Sequence, residues 1–243
     1  MEERLPNLLV SPGDLPPYLL LPGDPARAME IAHHLEKSEP IAKNREFHSY
    51  RGYYKELEVG VLSTGVGAPG AAVCAEEAIR AGSRILLRVG TAGSLQEDVV
   101  DGDLVITQGA VRRDGTSAQL LPKDYPALAD LDVVGALWQV TQGGQRRVHR
   151  GVVVTSDAFY GGVVDLGLDA LAQAGALCVE MECAAIFSVA MLRRAQAAAI
   201  LAIDGDARKA SDGAYNPHRR VVKEAISREI EYALEAIHHL ARI

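Results

Sequence analysis

Four consecutive residues, Val179-Glu180-Met181-Glu182, place two carboxylates on either side of a methionine, where an apolar strand pattern gives way to an apolar helix pattern. A carboxylate at the edge of a core must find hydrogen-bond donors or shift its pKa and become neutral. A pair of sugar hydroxyls supplies such donors. So does the first turn of a helix, whose unpaired amides and dipole favour an acid. Arg88 poses the same question with the opposite charge. It ends the apolar run Ile85-Leu86-Leu87, and an arginine in a buried strand needs a bidentate anionic partner, either a structural carboxylate or a bound anion.

Other segments have the character of ligand loops. Leu21-Pro22-Gly23-Asp24-Pro25-Ala26-Arg27 follows an apolar strand and opens a helix, with Asp24 suited to the N-cap and Pro25 to the first helical position. Gly23 lets backbone amides approach an anion there, and Arg27, one turn into the helix, reaches the same point. Arg88-Val89-Gly90-Thr91-Ala92-Gly93 adds a small turn with a hydroxyl. Within residues 63–70, the glycines Gly65, Gly67 and Gly70 have the spacing of a dinucleotide fingerprint, but no acid follows at the required distance of about twenty residues. Asp204 and Asp206 flank Gly205 after the apolar residues 200–203. An acid at a strand end can donate a proton if burial raises its pKa, and a pair of turn-forming aspartates fits the same residues. No His-x-x-x-His spacing, triad pattern or nucleophilic serine or cysteine emerges, so no metal site is expected.

These residues need elements to hold them. Short apolar runs at 18–21, 59–63, 85–89, 103–108, 152–156 and 198–203 predict strands, and longer periodic stretches at 25–35, 68–81, 131–141, 165–174, 181–194 and 219–241 predict helices. The alternation implies an α/β fold of three layers, α/β/α, with a central mixed sheet covered by helices on both faces. The polar segments 112–130 and 206–218 read as long loops, and 142–147 as a short polar turn. No linker or repeat interrupts the chain, which predicts a single domain over residues 1–243.

The balance of 32 acidic against 25 basic residues, a formal charge of -7, provides no field for nucleic acid or anionic lipid, so an anionic ligand requires local arginines. The three cysteines, Cys74, Cys178 and Cys183, lie in apolar stretches and read as small core residues. The chain shows neither a signal-peptide pattern nor an apolar run of about 18 residues, and a cytoplasmic location without membrane contact is the expectation.

Six segments in order resemble the hexameric nucleoside phosphorylase family, which contains the bacterial purine nucleoside phosphorylases and uridine phosphorylases. They are Pro22-Gly23-Asp24-Pro25 with Arg27, Asn44-Arg45-Glu46-Phe47, Thr64-Gly65-Val66-Gly67, Arg88-Val89-Gly90-Thr91, Ser156-Asp157-Ala158-Phe159-Tyr160 and Val179-Glu180-Met181-Glu182. The resemblance implies that Gly23, Arg27, Arg88 and Thr91 hold phosphate, with Arg45 reaching in from a neighbouring subunit. It further implies that Met181 and Glu182 grip the ribose, with Glu180 assisting, and that Phe159 lies against the base. The reaction it implies is reversible phosphorolysis of a nucleoside to free base and ribose 1-phosphate. Inorganic phosphate is the co-substrate and there is no cofactor. A site shared between subunits makes a homodimer the smallest active unit, and the family stacks three dimers into a hexamer.

Two departures from the family pattern stand out. The family's N-terminal histidine, which crosses the interface to the 5′-hydroxyl, is replaced here by Asn7. Uridine phosphorylases follow Phe-Tyr with a glutamine and then an arginine that read uracil, whereas Phe159-Tyr160 is followed by Gly161-Gly162-Val163-Val164-Asp165. The purine members place an aspartate after the last core strand to protonate the base. Ile203-Asp204-Gly205 resembles that arrangement, which makes Asp204 the expected general acid, with Asp206 as its rival on the base side. Segment 112–130 looks more like the uridine branch. The expectation is therefore a purine nucleoside phosphorylase, with uridine phosphorylase as the alternative. A nucleosidase or a catalytically silent nucleoside-binding protein stands further off.

Overall fold

In the computed structural model, residues 4–144, 146–208 and 216–242 are described. The strands join one mixed sheet. Strands β1 (Tyr18–Leu21), β4 (Leu57–Leu62), β5 (Ile85–Ser94) and β10 (Gln196–Asp206) run parallel in the order β4-β1-β5-β10. Beyond β10 the sheet continues through β6 (Leu104–Arg113), β8 (Val148–Ser156) and β9 (Cys178–Glu180), and β9 pairs back, antiparallel, onto the last residues of β5. The expected mixed central sheet is therefore present, and at this end it also closes on itself. Closure builds the site, because the C-terminal ends of β1, β5 and β10 meet those of β8 and β9, which run the other way.

Strand β10 is buried along all but its first and last residues, as expected of a strand covered on both faces. Helices α4 (Leu131–Val140) and α7 (Arg220–Leu240) pack together against it, and α6 (Cys183–Arg193), which packs on α2 (Ala68–Arg80), meets it as well. Helix α1 (Pro25–Ala32) leans on β4 and on β3 (Phe47–Tyr54). The core is rich in alanine, leucine, isoleucine and valine and includes all three cysteines, which are free and buried. None of the described helices is long and apolar enough to cross a membrane.

Three expectations need correction. Residues 36–54, for which no strand is predicted, form a hairpin of β2 (Glu36–Asn44) and β3, and the pairing of Asn44 with Phe47 closes its turn. Strand β2 is largely exposed, charged and contains Pro40, a composition that suits a sheet edge and hides it from a search for apolar alternation. Segment 112–130 is an ordered excursion, with α3 (Gly115–Leu120) capped by Asp114 and a short β7 (Ala127–Leu128) paired to β6. Arg112 gathers it by donating to the carbonyls of Ser117, Leu121, Pro122 and Tyr125. Helix α5 is shorter than expected, at Leu168–Gln173. Of the loop expected at 206–218, residues 209–215 lie outside the described residues.

Candidate active site

A cleft of about 740 Å³ opens where the strand ends converge. Its lining includes Gly23, Arg27, Arg88 and Thr91, the run Glu180, Met181 and Glu182, and Phe159, Asp204 and Asp206. Asn7 and Arg45 do not line this chain's cleft. Arg45 sits in the β2–β3 turn with φ 51°. The Asn7 side-chain amide donates to Glu77 Oε1 at 2.6 Å, and its backbone carbonyl accepts from Asn44 Nδ2 at 2.8 Å.

One end of the cleft is built from turns. Asp24 caps α1 by accepting from the Ala26 amide, and Pro25 opens the helix, as the sequence predicts. The Thr64 and Gly65 amides donate to the carbonyls of Pro22 and Gly23, which stitches the two turns together. Gly65, at φ 72°, leaves no room for a β-carbon, which would sit 2.6 Å from Glu46 Cγ. The glycine-rich segment that mimics a dinucleotide fingerprint has a different use: the Gly67 amide, at the N-cap of α2, donates to Glu182 Oε1 at 2.5 Å.

Arg88, 3% exposed, holds the centre. Its Nε donates to Glu180 Oε2 at 3.0 Å and its Nη2 pairs with Glu182 Oε2 at 2.5 Å. Burial works against the guanidinium's charge, but Glu182 and Glu180 outweigh it and raise its pKa. Nη1 is buried and has no hydrogen-bond partner among the described residues. Of the two kinds of partner that the sequence left open for Arg88, the structure supplies the structural carboxylates, which hold two of its nitrogens.

The two glutamates divide their work. Glu180 accepts from Arg88 Nε, from the Thr155 hydroxyl at 2.5 Å, and from the amides of Glu182 and Cys183 at 2.8 and 2.9 Å. Its carboxylate is consumed by the protein and by the first amides of α6, so it supports the site more than it faces a ligand. Glu182 accepts from the Gly67 amide and pairs with Arg88. Burial pushes its pKa above the usual carboxylate range, with Arg88 pulling the other way. Met181, half-buried, lies between them on the cleft wall.

Asp204 occupies a bulge in β10 beside the end of β5. Ile203 pairs with Ala92 and Gly205 with Gly93, and the register skips Asp204 between them. A bulge re-aims a side chain at the end of a strand. Asp204 is 4% exposed, and its carbonyl accepts from Arg219 Nη2 at 3.0 Å. Asp206 is ion-paired with Arg208 at 2.8 Å. Phe159 is half exposed and meets Tyr160 edge to face, with ring centroids 5.0 Å apart. The Gly115 amide donates to Asp157 at 2.8 Å, tying this segment to α3. Among the described residues, no group of histidines, cysteines and acids could hold a metal ion.

Sequence reasoning missed two contributors. Thr155 supports Glu180 and also accepts from the Ala184 amide at 2.9 Å. Glu229, on α7, is wholly buried and accepts from the Gly90 amide at 2.7 Å. A signal for Glu229 existed: the apolar stripe Val222, Ala225, Ile226, Ile230, Ala233 and Ala236 of α7 passes through position 229.

Residues 17–238 match the phosphorylase superfamily. A guanosine phosphorylase of Halorubrum lacusprofundi is 37% identical over 203 residues, 84% of this chain and 84% of that protein. A uridine phosphorylase of Treponema pallidum is 36% identical over 210 residues, 82% of this chain and 81% of that protein. Among solved structures, the purine nucleoside phosphorylase from Toxoplasma gondii in complex with immucillin-H has a TM-score of 0.94 at 29% identity, covering 100% of this chain and 98% of that chain. A match of sequence over nearly the whole length, repeated in the course of the backbone, leaves one conclusion: the chain belongs to the phosphorylase superfamily.

Proposed function

We propose that the protein is a nucleoside phosphorylase acting on purine nucleosides, releasing free base and ribose 1-phosphate. The observation that carries the reading is the arrangement around Arg88. One guanidinium is gripped by Glu180 and Glu182 yet keeps a buried Nη1 unpartnered among the described residues, at the end of a cleft that Arg27 and Thr91 also line. Such a group favours a phosphate oxygen, which would satisfy Nη1 and add bonds from the Thr91 hydroxyl and Arg27. Glu182, beside it, would accept from the ribose hydroxyls.

In the reaction, a phosphate oxygen bonds to the anomeric carbon as the glycosidic C–N bond breaks through an oxocarbenium-like state. The electron pair of the broken bond goes to the base, and Asp204 gives a proton to the purine ring. A positioned acid of this kind contributes about 100- to 10,000-fold. Holding phosphate below the sugar and matching the charge on ribose supplies the rest, so no covalent intermediate and no cofactor is needed. Phe159 lies against the base, and Asp206 stands at its edge. Arg45 and Asn7, which do not line their own chain's cleft, complete the site of a second copy, in a dimer that assembles into a hexamer.

The uridine reading remains the alternative because the relatives divide between guanosine and uridine phosphorylases at nearly equal identity. Inosine, guanosine, adenosine and uridine, each tested with and without phosphate, separate the possibilities. Phosphate-dependent cleavage of the purine nucleosides is expected. Fast uridine turnover with inert purines would overturn the purine assignment, and undiminished cleavage in phosphate-free buffer would overturn phosphorolysis.

A further inference from the structure

Glu229 lies behind the anion end of the cleft. It is 0% exposed, and its Oε1 accepts from the Gly90 amide at 2.7 Å. Its Oε2 is buried and has no hydrogen-bond partner among the described residues. Gly90 lines the cleft between Arg88 and Thr91, and a β-carbon there would sit 2.8–3.0 Å from the Arg88 guanidinium. The carboxyl therefore braces the strand segment that carries both groups, from the side away from the ligand.

We propose that Glu229 is a proton-linked positioning residue, which takes up a proton from solvent when phosphate binds at Arg27 and Arg88. The proposal rests on the phosphate reading of this end of the cleft. The charged groups that face Glu229 are Arg27 from α1, Arg88 from β5 and Asp204 from β10. The other helix packed on α7, α4, carries Asp132 as its one titratable residue, and it is exposed. Burial pushes the Glu229 pKa up to about 8, while Arg27, the Gly90 amide and Arg88 pull it down. A bound phosphate anion cancels the attraction of both arginines, and the carboxylate loses what keeps it ionised in a dry site. Protonation keeps the net charge of the pocket from growing and leaves a neutral carboxyl whose oxygen still accepts from Gly90.

Calorimetric titration of the whole enzyme with inorganic phosphate at pH 8, repeated in buffers of different protonation enthalpy, counts the protons exchanged. At that pH phosphate is already mostly the dianion, so the ligand itself releases few. Net uptake approaching about half a proton per phosphate is expected from a group half ionised beforehand. Glu229→Gln should bind phosphate with that uptake abolished, a result that a purely structural carboxyl would not give. Phosphate binding with zero uptake or net release in the wild type would overturn the proposal while leaving the phosphate site standing. That wild-type count decides the matter even if Glu229→Gln does not fold. No phosphate binding at all would overturn the phosphate reading, and this proposal with it.

Discussion

Arg88 and Glu182 meet at 2.5 Å between Nη2 and Oε2, and this contact joins the two halves of the proposed site, the one for phosphate and the one for ribose. A ribosyl cation forming between a bound phosphate and Glu182 would lie beside two groups that already fix one another. Each is held from a second direction as well, Arg88 by Glu180 and Glu182 by the Gly67 amide. Preorganisation of this kind removes the reorganisation that would otherwise accompany charge development.

Glu182→Ala should lower kcat/KM for ribonucleosides by about 100-fold or more, the worth of two hydrogen bonds to a charged acceptor. Steady-state kinetics on matched substrates isolates the contact. With 2′,3′-dideoxynucleosides, which lack the donors, wild type and variant should differ little. An equal loss on both substrates would mean that Glu182 serves Arg88 and not the sugar.

Glu180→Gln should act on stability first. The carboxylate accepts from Arg88, Thr155 and the amides of Glu182 and Cys183 with no exposure of its side chain. Breaking a buried pair of this type costs about 3–5 kcal/mol, and for a chain of this size that lowers Tm by about 10 °C. Thermal denaturation at fixed protein concentration measures it. A Tm unchanged within a degree or two would contradict the bracing role.

Gly90→Ala tests the space around Arg88. The added methyl would lie 2.8 Å from Nη2 and 3.0 Å from Nη1 of a guanidinium already clamped by two carboxylates. Displacing it to a poorer rotamer costs about 0.5–1.5 kcal/mol, so the phosphate Kd should rise by up to about tenfold. Phosphate titration of the variant provides the check, and unchanged affinity would mean that Arg88 does not hold phosphate through this clamped geometry.

The sequence made legible what is decided locally. Asp24 and Pro25 cap and open α1 using residues within the same turn, so their signal is complete in one short segment. Arg88 announced that it needed an anion, but its partners Glu180 and Glu182 lie far along the chain and reach it only because β9 pairs back onto β5, so their identity was not legible from spacing. Spacing alone did not separate Glu180 from Glu182, and only the family resemblance did: Thr155, which marks Glu180 as the bracing residue, arrives from β8. Strand β2 was hidden because its residues are set by pairing with β3 and by the needs of an edge, and not by a buried face. Segment 112–130 had no periodicity to read because Arg112 organises it through carbonyl oxygens, which belong to every residue type.

Glu229 also makes the stability of the fold depend on pH. Its pKa in the folded protein is about 8 against an ordinary 4.5, so the folded state holds the proton more tightly than the unfolded chain. Stability from the neutral carboxyl is fully present below about pH 4.5 and is lost progressively as pH rises through 8, because the unfolded chain ionises freely while the buried carboxyl must keep its proton or ionise in a dry site. Glu229→Gln cannot ionise and escapes this loss. Thermal denaturation of both proteins across about pH 5 to about pH 9 should therefore show the Tm of the variant rising relative to wild type with pH, while titrations elsewhere in the molecule cancel in the difference. A difference that stays flat over this range would show that the carboxyl titrates normally in the fold, with Arg27 and Arg88 fully offsetting its burial.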